Sequence, residues 1–345
     1  MNTQAPIELR KIALDPEYFL GAKNAVRVCL RILPEEKVTV ITDDATKQIA
    51  ASIVNELDAV GCRWNAFILE ELDARPLKDF PQAIADDMET SDVSIFCVMS
   101  QQGELRTRMQ MTDIVNRRQM RHAHMVNINR QIMLEGMRAD FIKVDQLSIK
   151  VAEMARAAKS IRVTSDAGTD FTAEMNQNYK WLKTSGIIST AKWGNLPGGE
   201  CFTTPGECNG TFVVDGVVGD YLCEKFGNLI DTPLTLKMKA NRLVEATSPN
   251  KALEKEFWEY CHTDENSDRV GEFAIGTNIE LKHVIGHILQ DEKFPGIHIA
   301  FGNPYGAHTG ADWYSATHID VVGTRVNIFL DDTQIMRAGE FLISA

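Results

Sequence analysis

Late in the chain, His318-Ile319-Asp320 stands inside the β-rich run ATHIDVVG. Residues two apart on a strand share a face, so this imidazole and carboxylate would converge while Ile319 packs behind them. Such a pair suits a shared metal ion, although H-x-D taken alone is more often the mark of a surface strand. GIHIAFG repeats the logic: Ile297 and Ile299 alternate with His298, which sets one imidazole opposite a buried face. By itself that pattern also describes a satisfied core histidine. Five of the eight histidines (His283, His287, His298, His308 and His318) fall in this region. Neutral imidazole and carboxylate are the usual ligands of zinc, cobalt or manganese, and paired metals need carboxylates that can bridge.

His283 and His287 form H-x-x-x-H, but no Glu follows the first His. Gly286 and the β-branched Val284 and Ile285 disfavour the helix that would set both imidazoles on one side. At most one of the two is expected near a pocket. Two carboxylates stand beside glycine: Glu200 ends NLPGGE, and Glu272 follows Gly271 in RVGEFAIGTN. Glycine permits close backbone approach there, and a solvent-facing turn is the equally good alternative.

The elements that must position these groups differ between the two halves. Up to about residue 190, VTVITDD, CRWNAFILE and DVSIFCVMS alternate with helical stretches, which predicts a parallel sheet covered by helices. IRVTSDAGTDFTAEM is expected to close this half. The remainder is rich in short β runs punctuated by Gly, Pro, Asn and Asp, with one helix from Asn250 to about His262. The expected fold is therefore α/β plus β-rich, with an α/β domain over 1–190 and a mainly antiparallel metal-site domain over 191–345.

Composition narrows the function. With 345 residues, 44% of them apolar, the chain can bury a sizeable core. A net charge of -12 argues against a general nucleic-acid binder. No run of about 18 apolar residues marks a membrane span, and the first residues show no apolar signal core. Seven scattered cysteines without a C-x-x-C pair read as reduced, buried thiols, which points to the cytoplasm. A dinucleotide fingerprint is absent, and Asp43-Asp44 after the first strand would repel phosphate. The Arg106, Arg108, Arg117, Arg118 and Arg121 run reads first as a solvated helix face. A subunit contact or a site for a substrate carboxylate is the alternative.

Taken in order, Gly168-Thr169-Asp170, NLPGGECFTTP, GTFVVDG, GEFAIGTN, GIHIAFGNPY, THID and the closing VNIFLDD resemble the aminopeptidase T family of metallo-aminopeptidases. The resemblance covers the second half well and the first half in architecture. It implies two divalent ions (Zn, Co, Mn or Mg) held by Glu200, Glu272, His298, His318 and Asp320, with Tyr305 beside them. Asp320 would bridge the ions, Tyr305 would hydrogen-bond the oxyanion, and Glu200 or Glu272 would shuttle the proton. The implied activity is release of N-terminal residues from small peptides by a cytoplasmic homodimer.

Members of that family are usually longer, and the missing length lies where substrate would bind. A hydrolase of a small non-peptide amide or ring on the same site is therefore an alternative. The shorter dihydroxypyridine dioxygenases are a related resemblance, with one Fe(II) on two His and a carboxylate. Their closing H-x-D matches His318 and Asp320, but their other histidine falls on Ala274.

Overall fold

A computed structural model describes residues 9–190, 193–219 and 221–344. Residues 1–8 of the stretch read for a signal core, and Asp220 in the run GTFVVDGVVGDYL, lie outside the described residues. The chain gathers into two compact units, Met1–Ile142 with Gly186–Gly198, and Lys143–Ser185 with Gly199–Ala345.

In the first unit, β1 (Lys37–Thr42), β2 (Arg63–Ile68), β3 (Val93–Val98) and β4 (Arg121–Val126) form a parallel sheet in the order β2-β1-β3-β4. The short β8 (Gly194–Asn195) returns from later in the chain to lie parallel beside β4. The central β1 and β3 are buried almost throughout, as strands covered on both faces must be, and their apolar residues are interrupted only by the buried Thr39, Thr42 and Ser94. The helix Lys47–Val60 ends at Gly61, whose φ of 82° is the left-handed conformation a helix stop favours. Asp43 does not face solvent. It is buried and ion-paired to Arg75 at 2.8 Å, and Arg75 also binds Glu104. Much of the arginine run is paired within the unit: Arg106 with Asp79, Arg117 with Glu89, and Arg121 with Glu36.

The second unit holds two antiparallel sheets. The larger is built from β5 (Ser160–Thr164), β6 (Asp170–Glu174), β10 (Glu207–Val214), β11 (Leu234–Lys239), β12 (Arg242–Thr247), β16 (Asn327–Leu330), β17 (Thr333–Arg337) and β18 (Glu340–Phe341). Its order is β12-β11-β10-β6-β5-β16-β17-β18. The β5–β6 hairpin thus does not close the first half. Its half-buried alternation needs antiparallel neighbours, and β16 and β10 supply them. The compact grouping accordingly takes Lys143–Ser185 into the second unit, which differs from a single division at 190/191. The helix expected from Asn250 runs over Lys251–Tyr260, with the Asn250 side chain accepting from the Ala252 and Leu253 amides.

The smaller sheet of this unit carries β7 (Leu182–Thr184), β9 (Glu200–Thr203), β13 (Val270–Gly276), β14 (Gly296–Gly302) and β15 (His318–Thr324) in the order β15-β14-β13-β9-β7. All seven cysteines are buried and none forms a disulfide. Among the described residues, no helix is long and apolar enough to cross a membrane.

Candidate metal centre

Register places the five expected ligands on one face of the smaller sheet. Ala274 pairs with His298 on one side and Phe202 on the other, while Gly276 pairs with Glu200. Ala300 stands between Glu272 and Asp320, and Gly302 opposes His318. Directly opposed residues share a face and alternate residues return to it. Glu200, Glu272, His298, His318 and Asp320 therefore project together, over a floor of the small residues Ala274, Gly276 and Ala300. Phe273, Ile275, Ile297, Ile299, Phe301, Ile319 and Val321 project the other way, into the main core of the unit.

Glu272 reaches its face through an irregularity. Pairing runs Val270 with Phe301 and then Glu272 with Ala300, so Gly271 is the extra residue of a β-bulge. A Cβ on Gly271 would lie 2.5 Å from the Gly302 carbonyl oxygen, which restricts the position to glycine.

His298 Nε2 lies 3.2 Å from Glu272 Oε1 and 3.5 Å from Glu200 Oε2. His318 Nε2 lies 3.4 Å from Asp320 Oδ1 and 3.7 Å from Glu272 Oε2. Ligand atoms fall within 4.8 Å of one another in three trios: Glu200 with Glu272 and His298, Glu272 with His318 and Asp320, and Glu292 with His298 and Asp320. Glu272 is common to the first two trios and Asp320 to the last two, and none contains both histidines. The Glu200 end is closed, with His298 1% exposed, whereas the His318 and Asp320 side chains keep 18% and 13% of their surface open.

The charges act strongly on one another. Burial alone would lower His298, but its hydrogen bond to Glu272 and the charges of Glu200 and Glu272 raise it to about 9. His318 is likewise lifted against burial to about 10, chiefly by Asp320. Asp320 is held below the usual carboxylate range because His318 outweighs the effect of burial. Such a crowd of carboxylates and imidazoles is the donor set of a divalent cation. His298 Nδ1 is buried without a hydrogen-bond partner among the described residues, whereas His318 Nδ1 donates to the Asn303 carbonyl at 2.9 Å. His318 is thus oriented in the way a metal-bound imidazole commonly is.

Tyr305 sits at the open end, its ring centroid 4.4 Å from that of His318. Its φ of 49° and ψ of 48° put a bulky residue in the left-handed region, a strained placement of the kind found at functional sites. Burial and the charges of Asp320 and Glu272 raise its phenol well above the ordinary range.

Several members of the site carry no signal in the sequence. Glu292 and Lys293 enter it just ahead of β14, where a charged pair reads as surface. Thr184 donates to Glu200 Oε1 at 2.6 Å from a neighbouring strand. Asn303 accepts from the Tyr305 amide at 2.9 Å. Among the described residues, His283, His287 and His308 join none of the trios. His287 instead caps the short helix Ile288–Asp291, accepting from the Leu289 amide.

Comparison with known proteins follows the same lines. The family described as NicX: 2,5-dihydroxypyridine 5,6-dioxygenase matches residues 22–343. No curated protein matches the chain. Among solved structures, 2,5-dihydroxypyridine dioxygenase from Pseudomonas putida KT2440 is similar with a TM-score of 0.68 at 14% identity, covering 94% of this chain and 96% of that one. AmpT from Thermus thermophilus is similar with a TM-score of 0.70 at 16% identity, covering 96% of this chain and 100% of that one. At these identities the likeness is one of fold, and both neighbours share the mixed α/β architecture.

Proposed function

The chain belongs to the 2,5-dihydroxypyridine 5,6-dioxygenase family, and within it we propose a member whose metal centre activates water to hydrolyse a small peptide, amide or ring substrate. The observation that carries this reading is the separation of the two histidines, each in its own carboxylate-rich trio. An iron oxygenase triad needs two imidazoles and one carboxylate on a single ion. Ala274 stands where the second imidazole of such a triad is expected, and it opposes His298 across the strand pair.

Glu200, Glu272, His298, His318 and Asp320 line the proposed centre, and its ligands are drawn from them. A divalent cation there, zinc, cobalt, manganese or magnesium, would supply Lewis acidity and a water of lowered pKa. Tyr305 is placed to donate a hydrogen bond to an oxyanion forming beside His318. A carboxylate left free, Glu200 or Glu272, holds the proton that passes from water to the leaving group. The open end at His318, Asp320 and Tyr305 is the substrate entrance.

The family match favours a second reading, Fe(II)-dependent ring opening with oxygen. A panel of amino-acid arylamides and dipeptides, assayed with Zn, Co and Mn, separates the two. Release of N-terminal residues supports the peptidase form of the hydrolase. Cleavage of simple amides or cyclic amides alone supports the small-molecule form. No hydrolysis with any metal, together with oxygen uptake on a dihydroxypyridine in the presence of Fe(II), would establish the dioxygenase instead.

A further inference from the structure

The two cation positions that share Glu272 are not equivalent. Lys293 is fully buried, and its Nζ lies 2.8 Å from Glu200 Oε1 while also pairing with Glu292. Glu200 Oε1 additionally accepts from Thr184, so this oxygen already has two donors. Only Oε2 faces His298, at 3.5 Å. By contrast, among the described residues no lysine or arginine nitrogen is paired with Glu272 or Asp320, and the His318–Asp320 end is the one open to solvent.

The lysine is held in place. The Asn278 amide donates to the Lys293 carbonyl at 3.0 Å, and the Lys293 amide donates to the Gln290 carbonyl at 2.9 Å. The next carbonyl, of Phe294, packs so close to Gly276 that a Cβ there would lie 1.9 Å from it. With 1% of its side chain exposed, the ammonium has no route to water if it leaves its two carboxylates. A buried ammonium without partners is strongly unfavourable. A metal ion bound to the other oxygen of Glu200 would lie at most roughly 7 Å from it, given metal–oxygen distances of about 2 Å, and like charges at that range in a buried site repel.

We infer that the Lys293 ammonium stands in for a divalent ion at the Glu200–Glu272–His298 position, so that the protein binds one divalent ion per chain, at Glu272, His318 and Asp320. This rests on the metal-centre reading but not on the reaction class. Lys293 is then a positioning residue, which neutralises Glu200 and Glu292 and holds Glu200 against His298 with no second metal.

The test is metal stoichiometry, read by equilibrium dialysis of the metal-free full chain against Zn(II) or Co(II), with the Co(II) absorption spectrum as a second readout. Wild type should take up one ion per chain. Lys293→Met, which removes the charge at similar volume, should take up two, the second at least tenfold more tightly than any second ion in wild type. Lys293→Met with Glu292→Gln leaves the net charge unchanged and serves if the single variant does not fold. Lys293→Arg should stay at one ion.

Two tightly bound ions in wild type would overturn the inference while leaving the hydrolase reading intact. So would a single ion in both charge-removed proteins. If neither variant folds, the wild-type count decides. No ion in wild type would remove the metal centre itself, and loss of hydrolysis with one ion bound would count only against the reaction class.

Discussion

His318 and Tyr305 are tied through one residue: His318 Nδ1 donates to the backbone carbonyl of Asn303 at 2.9 Å, and the Asn303 side chain accepts the Tyr305 amide at 2.9 Å. The two bonds use different parts of Asn303 and can be separated. Asn303→Ala keeps the carbonyl that orients the imidazole and removes the acceptor that supports the left-handed Tyr305. Metal affinity should change less than about threefold, while turnover falls roughly 10- to 100-fold, the range over which loss of supporting bonds usually acts. Parallel measurement of bound metal and kcat checks this. A matching loss in both would show that the histidine depends on the side chain after all.

Direct ligand loss should look different. Asp320→Asn removes a charged donor from two of the trios. It should abolish stoichiometric Zn(II) uptake at micromolar metal and lower activity by at least about 100-fold. Dialysis followed by elemental analysis reads the first effect, and a variant that retains a full complement of metal would exclude Asp320 as a ligand.

Arg75 is the structural keystone of the parallel unit. It is buried against Asp43 and Glu104, with side-chain exposures of 4%, 1% and 5%. Arg75→Met strands two buried carboxylates and should cost about 3–5 kcal/mol. Urea unfolding monitored by circular dichroism would show it. A loss below about 1 kcal/mol would mean that water reaches the network.

Acid should weaken the same unit through two histidines. His122 is buried and its pKa is lowered by burial to about 3, and His124 is also pushed well below its ordinary value. The depressed folded values mean that the unfolded chain binds the extra protons. Stability is therefore fully present above the unfolded value of about 6.5 and is lost as pH falls from there towards the folded values, by about 1.4 kcal/mol per pH unit for each histidine. His122→Asn should flatten the dependence of the unfolding midpoint between about pH 4.5 and 6.5 by about one proton. An unchanged slope would place the acid sensitivity elsewhere.

The sequence shows most of what strands do and little of what loops deliver. Alternation places His298 against Ile297 and Ile299, and the H-x-D spacing places His318 beside Asp320, because a strand's period of two is visible in any stretch of residues. The parallel half is equally visible, since strands buried on both faces are mostly apolar and broken only by small residues such as Thr39 and Ser94. Glu200 and Glu272 are recognisable only through motif resemblance: no local periodicity says which strands will lie side by side. Lys293, Glu292 and Asn303 are hidden, because a charged or polar residue in a short connection is normally solvated. The backbone bonds to Asn278 and Gln290 and the packing of Phe294 against Gly276 hold Lys293 inward. The β5–β6 hairpin is legible as an element but not in its allegiance, which β10 and β16 decide from far along the chain.

The bulge at Gly271 absorbs one residue of chain, so Val270 and Glu272, two apart in sequence, face opposite ways. Strands on either side of that glycine are out of phase by one step, so Val270 belongs to the core and Glu272 to the site. Deleting Gly271 would leave Val270 and Glu272 adjacent in an even ladder opposite Phe301 and Ala300, with each still on its own face. Flattening the bulge with Gly271 retained would instead set Val270 and Glu272 on one face, so it is the slack of one residue that lets both the core and the site claim their side chains.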